Sequence, residues 1–99
     1  MKKIIRDNNM FNEQYAKACI THSTMRLLKR ASIIVDDLDL FILVEQILEG
    51  VWPILKRRST NQTFYKIKIK GKTMVVLFNE TLMVPQTFIT TKMYLKRSI

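Results

Sequence analysis

The sequence predicts an α+β domain in which N-terminal helices pack on one face of a three- to four-stranded antiparallel β-sheet. Three observations lead there. The hydrophobic period is 3.6 before Gly50 and 2 after it, so helices precede strands. Gly and Pro occur only twice each, which leaves few places where regular structure must stop. The 99 residues, 47% hydrophobic and 25% charged, suffice for one core but not for two. Residues 1–99 therefore read as a single globular domain.

Residues 1–10 are polar and basic around Ile4-Ile5 and read as an arm or short strand. Phe11, Tyr15, Ala18 and Cys19 recur at helical spacing and predict a short amphipathic helix over 9–19. Thr21 or Ser23 offers an N-cap oxygen for a second helix over 22–31, with Met25, Leu28 and Ala31 turned inward beside Leu27. Ser32 to Val35 is a β-branched connector. Asp36 and Asp37 suit the positive end of a third, strongly apolar helix from Asp37 to Glu49, and Gly50 is its left-handed stop.

Val51-Trp52-Pro53-Ile54-Leu55 leads into Lys56-Arg57-Arg58 and a polar turn at 59–62. From Phe64 to Lys70 the residues alternate, with Tyr65, Ile67 and Ile69 on one face and lysines on the other, as in a strand with one wet face. Lys70-Gly71-Lys72 is a tight hairpin turn. Thr73 to Phe78 is a continuous apolar run, expected at the centre of the sheet. Leu82 to Thr91 is the last strand, which Pro85 restricts to an edge or a bulge. Residues 92–99 read as a basic tail.

The chain holds 17 Lys+Arg against 8 Asp+Glu, a formal charge of +9. Five of the eight acids (Asp36, Asp37, Asp39, Glu45, Glu49) fall in the 36–49 helix, so the C-terminal half carries a positive field. A polyanionic partner follows: nucleic acid first, then an acidic protein, then an anionic membrane surface. No segment reaches the roughly 18–20 apolar residues of a membrane span. The N-terminal apolar stretch is too short for a signal peptide. A cytoplasmic location is expected, including the cytoplasm of a target cell after delivery.

Two groups of residues carry chemistry. His22, Arg26 and Arg30 recur every fourth residue and share one helix face. An imidazole moves a proton near neutral pH, and guanidinium forks hold phosphate oxygens. The same spacing equally fits a solvated helix face. Lys56, Arg57, Arg58, Lys66, Lys68, Lys70 and Lys72 form the second group, a row almost uninterrupted by acids. Beside Phe64 and Trp52 it suits binding of a nucleic-acid backbone with stacking on bases, although lysines also protect sheet edges. The hydroxyl-rich segment Thr87-Phe88-Ile89-Thr90-Thr91, followed by Tyr94, matters only if the fold brings it near His22. The single Cys19 and single His22 cannot form a metal site, and the acids read as helix caps or solvated groups. No cofactor motif is visible, and catalysis is expected to be metal-independent.

Thr21-His22-Ser23…Arg26…Lys29-Arg30-Ala31-Ser32-Ile33, with an apolar helix ending Leu48-Glu49-Gly50, resembles the "T-x-H-A…R…R-G-I-S" opening of small RelE-like domains. The likeness extends through the hairpin Tyr65–Lys72 to a final strand carrying threonine, over residues 20–91. These domains belong to the barnase–EndoU–colicin–RelE superfamily of toxin–antitoxin and polymorphic toxins. The resemblance implies a ribonuclease in which the ribose 2′-OH attacks the adjacent phosphate. It makes His22 the general acid or base, Arg26 and Arg30 the phosphate ligands, and Thr90 or Thr91 the strand-end hydroxyl. Ala31 departs from the usual Gly, and a Val-Asp-Asp insertion follows Ile33. No second histidine completes an acid–base pair, so a lysine, tyrosine or arginine has to serve; Tyr65 joins the candidate catalytic residues on that ground. The implied partners are RNA (tRNA or mRNA) and an acidic antitoxin or immunity protein. The alternative is a non-catalytic basic nucleic-acid-binding or host-directed regulatory protein of phage type.

Overall fold

The computed structural model describes residues 2–97, with side chains from residue 13 onward. Helices α1 (Lys2–Ala31) and α2 (Asp37–Leu48) precede four strands, β1 (Ile54–Ser59), β2 (Gln62–Ile69), β3 (Lys72–Asn79) and β4 (Val84–Ile89). Helix α3 (Thr91–Arg97) follows. The sheet is an antiparallel meander in the order β1-β2-β3-β4. The expected α+β class and helix-on-sheet packing are both present.

The N-terminal region corrects the sequence-based reading. Residues 2–10 belong to α1 rather than to an arm or strand, and the two short helices expected over 9–31 are one continuous helix. Ser23, one of the two hydroxyls read as caps, and its neighbour Thr24 explain the merger. Ser23 Oγ donates back to the Ile20 carbonyl at 3.0 Å, and Thr24 Oγ1 donates to the same oxygen at 2.9 Å. Both bonds lie inside the helix and leave the backbone ladder running. The helix ends at Ser32, which takes the left-handed conformation (φ 54°) and sends its N–H to the Leu28 carbonyl at 2.9 Å.

At the start of α2 Asp36 is the N-cap, as expected, in a reciprocal capping box whose second member is Asp39 rather than Asp37. Asp39 N–H donates to Asp36 Oδ1 at 2.8 Å, and Asp36 N–H donates to Asp39 Oδ2 at 3.0 Å. Lys70 adds an ion pair to Asp39 at 3.2 Å, tying the β2–β3 turn to the helix. These contacts, the Asp36 N–H first, hold the Asp39 carboxyl below its ordinary value of 3.8. A depressed folded-state pKa stabilises fully above the unfolded value and is lost as pH falls through the folded one. The urea midpoint of the wild type should therefore fall with acidification below about pH 4 more steeply than that of Asp39→Asn. Equal slopes would remove Asp39 from the acid sensitivity.

The two sheet faces are covered differently. Tyr65, Ile67 and Ile69 of β2, Met74, Val76 and Phe78 of β3, and Phe88 of β4 face Leu27 of α1 and Leu40, Leu43 and Ile47 of α2. On the opposite face Phe64, Val75, Leu77 and Ile89 form a smaller cluster under Met93 and Tyr94. That second cover comes from α3, where a basic tail was expected. Thr90 makes the helix possible: its Oγ1 accepts the Met93 N–H at 3.1 Å and its carbonyl accepts the Tyr94 N–H at 3.0 Å.

Turn chemistry fixes the meander. Lys70 (φ 48°) and Gly71 (φ 81°) form a two-residue turn that sets Ile69 opposite Lys72. Buried Asn79 accepts the N–H groups of Thr81 and Leu82 at 3.0 and 2.9 Å and shapes the β3–β4 turn. Pro85 lies on the edge strand as its missing N–H requires. There Phe78 pairs with Pro85 and Leu77 with Thr87, so Gln86 is the extra residue of a β-bulge.

Candidate functional site

Helix α1 lies along β4, the edge strand of the sheet. Its small buried residues Cys19 and Ser23 let the helix backbone approach closely, and Leu27 drives into the core. Arg30 closes this contact: its Nη1 donates at 2.8 Å to the carbonyl of Phe88. An edge strand otherwise leaves such carbonyls without a protein donor. Arg30→Met should therefore lower stability by about 1–3 kcal/mol, the range for a lost bond to a charged donor. A chemical-denaturation midpoint equal to wild type would show that the bond adds nothing.

One turn before Arg30, the Nε of half-buried Arg26 donates to His22 Nε2 at a long 3.4 Å. Nε2 is then the acceptor, which puts the ring proton of a neutral imidazole on Nδ1. His22 borders a cleft of about 360 Å³ whose other walls are Tyr15, Ala18 and Cys19 of α1, Leu77 of β3, and Gln86 and Thr87 of β4. The β4 bulge delivers both of the last two. Gln86 is anchored through its Oε1, which accepts from Gln62 Nε2 at 2.7 Å. Thr87 is half-buried on the face that carries Leu77.

Positive charge continues from this cleft. Burial lowers the Arg30 pKa, and the nearby Arg26 and Arg97 guanidiniums lower it further. Three cations thus lie within electrostatic reach of one another. Arg97 also borders a second hollow of about 310 Å³ with Lys56, Arg58, Phe64 and Tyr94. The Phe64 and Tyr94 rings meet edge to face with centroids 5.3 Å apart. Lys66 and Lys68 flank this hollow on the same sheet face, since they alternate with the core residues of β2. Beside His22, the cations Arg26, Arg30, Arg97, Lys56 and Arg58 consequently form a track from the β4 edge to β1. Three strand spacings, roughly 14 Å, separate β4 from β1 and set its length.

Several predicted site residues lie elsewhere. Tyr65 is buried on the opposite face, edge-on to Phe78 at 6.1 Å, and burial followed by the Glu80 charge raises its pKa. Thr90 caps α3, and Thr91 is that helix's first residue; neither borders the His22 cleft. Arg57 pairs with Glu80 at 2.9 Å, and the same carboxylate oxygen accepts from Thr63 at 2.6 Å. Lys70 holds Asp39, and Lys72 Nζ donates to the Ala31 carbonyl at 2.6 Å, where a cation suits the end of α1. Lys56, Arg58, Lys66 and Lys68 share the open face, while Arg57, Lys70 and Lys72 serve the fold.

Thr87, Gln86 and Arg97 are the residues that sequence reasoning did not place in the site. Pro85 was the available signal for the first two, because a bulge shifts which residues point together. The last required knowing that 91–97 is helical. Among the described residues, no three His, Cys, Asp or Glu side chains group as metal ligands, and no helix is long and apolar enough to cross a membrane. No family model, curated protein or solved structure matches the chain.

Proposed function

We propose that this protein is a metal-independent endoribonuclease of the toxin type, acting on cytoplasmic tRNA or mRNA and restrained by an acidic inhibitor protein. One observation carries the proposal. His22, which accepts from Arg26, shares a cleft with the strand residue Thr87 at one end of a cationic track that the Tyr94 ring borders. An exposed basic helix face would not need a strand hydroxyl beside its only histidine.

The chemistry follows from the contacts. An incoming phosphate competes with His22 for Arg26, which releases the Nε2 lone pair and supplies a guanidinium fork for the phosphate oxygens. Nε2 then takes the proton of the ribose 2′-OH. The new P–O2′ bond forms as the P–O5′ bond breaks, and the 5′ oxygen takes a proton from water. The products are a 2′,3′-cyclic phosphate and a 5′-OH end. Thr87 donates to a non-bridging oxygen as its charge grows. Lys56, Arg58, Lys66 and Arg97 hold the flanking backbone, and the half-buried Tyr94 offers ring surface to a base.

The test is cleavage of total RNA with chelator present, by wild type, Thr87→Val and the double variant Lys56→Glu/Arg58→Glu. Thr87→Val should cut more slowly at unchanged affinity. The double variant should bind more weakly, with its salt slope smaller by about 0.7 per lost phosphate contact on single strands. Tight, salt-sensitive binding without cleavage by the wild type would overturn the nuclease proposal in favour of a non-catalytic binder.

A further inference from the structure

The His22 cleft holds a polar group that the cleavage chemistry leaves unused. Gln86, the bulged residue of β4, borders the cleft, and its Oε1 accepts from Gln62 Nε2 of β2 at 2.7 Å, across the width of β3. Gln62 is itself held from β1. Its Oε1 accepts from Ser59 Oγ at 3.1 Å, a hydroxyl that lies equally close to Asn61 Oδ1. With its oxygen turned to Ser59, Gln62 has its amide nitrogen to give to Gln86. Gln86 therefore commits its oxygen to Gln62 and keeps its Nε2, which carries two donor hydrogens. Among the described residues, none accepts a hydrogen bond from that nitrogen. The bond stitches β2 to β4, yet it engages only the oxygen of the Gln86 amide.

The rest of the cleft suits a flat ring. Tyr15 stands at its border, 49% exposed, and Ala18 and Leu77 add apolar wall. Its volume of about 360 Å³ lies within the range of small-ligand sites, roughly 300–1,000 Å³. On the reading that the cationic track binds RNA, we infer that this cleft takes the nucleobase next to the bound phosphate and that Gln86 selects it through a carbonyl oxygen. Uracil and guanine present a carbonyl where cytosine and adenine present an amino group. The Gln86 Nε2 bonds to the former and meets a second donor in the latter, so keto bases are favoured. Tyr15 stacks on the base whatever its identity.

Binding of short 2′-O-methyl oligonucleotides, which have no 2′-OH to attack, tests this separately from cleavage. Uridine and cytidine strands match closely in size and charge and differ on the edge that Gln86 reads. The wild type should bind the uridine oligonucleotide about tenfold more tightly than the cytidine one. Gln86→Leu should bring that ratio close to one. Gln62→Glu should reverse it, because a carboxylate at position 62 only accepts; Gln86 then turns its Nε2 to it and presents Oε1 to the cleft. A general loss of affinity, or the added negative charge, weakens both oligonucleotides alike and leaves the ratio unmoved. Equal wild-type affinities, a ratio that survives Gln86→Leu, or a uridine preference kept by Gln62→Glu overturns the inference. Failure to bind either oligonucleotide overturns it together with the RNA reading. A uridine preference that responds as expected, in a protein that cuts no RNA, supports the inference and removes the nuclease reading alone.

Discussion

His22→Ala is expected to lower the rate of RNA cleavage by about 10²- to 10⁴-fold, the range for loss of a positioned general base. Stability should hardly move, because His22 is exposed and its one described hydrogen bond is the long contact to Arg26. Single-turnover rates at saturating RNA isolate this effect from binding. Arg26→Ala should cost about 10²- to 10³-fold, as for loss of a donor to developing charge. Because the two side chains touch, the double variant should lose less than the product of the single losses. Wild-type rates in both single variants would mean that the cleft at the β4 edge is not where cleavage occurs.

Phe88→Ala should be the most damaging core substitution, by about 3–5 kcal/mol. The ring is fully buried at the junction of α1, α2 and the sheet, and its backbone carbonyl is the oxygen that Arg30 holds. Truncation opens a cavity under the helix that carries His22 and Arg26. Against a typical total of about 5–15 kcal/mol, that loss is a large share of the stability. In a domain of this size each kcal/mol moves the melting temperature by roughly 4–8 °C. Calorimetry should show a drop of several such steps, and a drop of under one step would mean that the junction collapses around the missing ring.

How far the sequence revealed this arrangement depends on which interactions are local. The Asp36 cap, the left-handed stop at Gly50 and the Lys70-Gly71 turn are fixed by neighbours within a few residues, and all were legible, although the Asp39 half of the capping box was not read. The alternation in β2 likewise separated Tyr65 from the lysines correctly, yet Tyr65 was still assigned a catalytic role. Its face is the buried one, so chemistry and periodicity pointed in different directions. Ser23 was ambiguous because a hydroxyl can cap a helix start or bond back inside a helix, and only the contact with β4 favours the latter. The basic residues were misjudged for a related reason. Arg57, Lys70 and Lys72 are occupied by Glu80, Asp39 and the Ala31 carbonyl, partners 23, 31 and 41 positions away in the chain.

The site was half legible. Helical spacing joined His22 to Arg26 without help from the fold. It also joined Arg30, whose guanidinium additionally seals the sheet edge. The strand hydroxyl could not be chosen from sequence, since alternation alone does not say where the Pro85 bulge restarts the count. Once Gln86 is set aside as the extra residue, Thr87 falls opposite Leu77 and borders the cleft that His22 also lines.

The most direct test of the central claim is end-group analysis of RNA fragments made by the purified protein in excess chelator, with His22→Ala run in parallel. A 2′-OH attack catalysed at His22 predicts discrete fragments bearing 2′,3′-cyclic phosphates and 5′-OH ends, strongly reduced in the variant. Fragments with 5′-phosphates, or cyclic-phosphate fragments undiminished in His22→Ala, would contradict it.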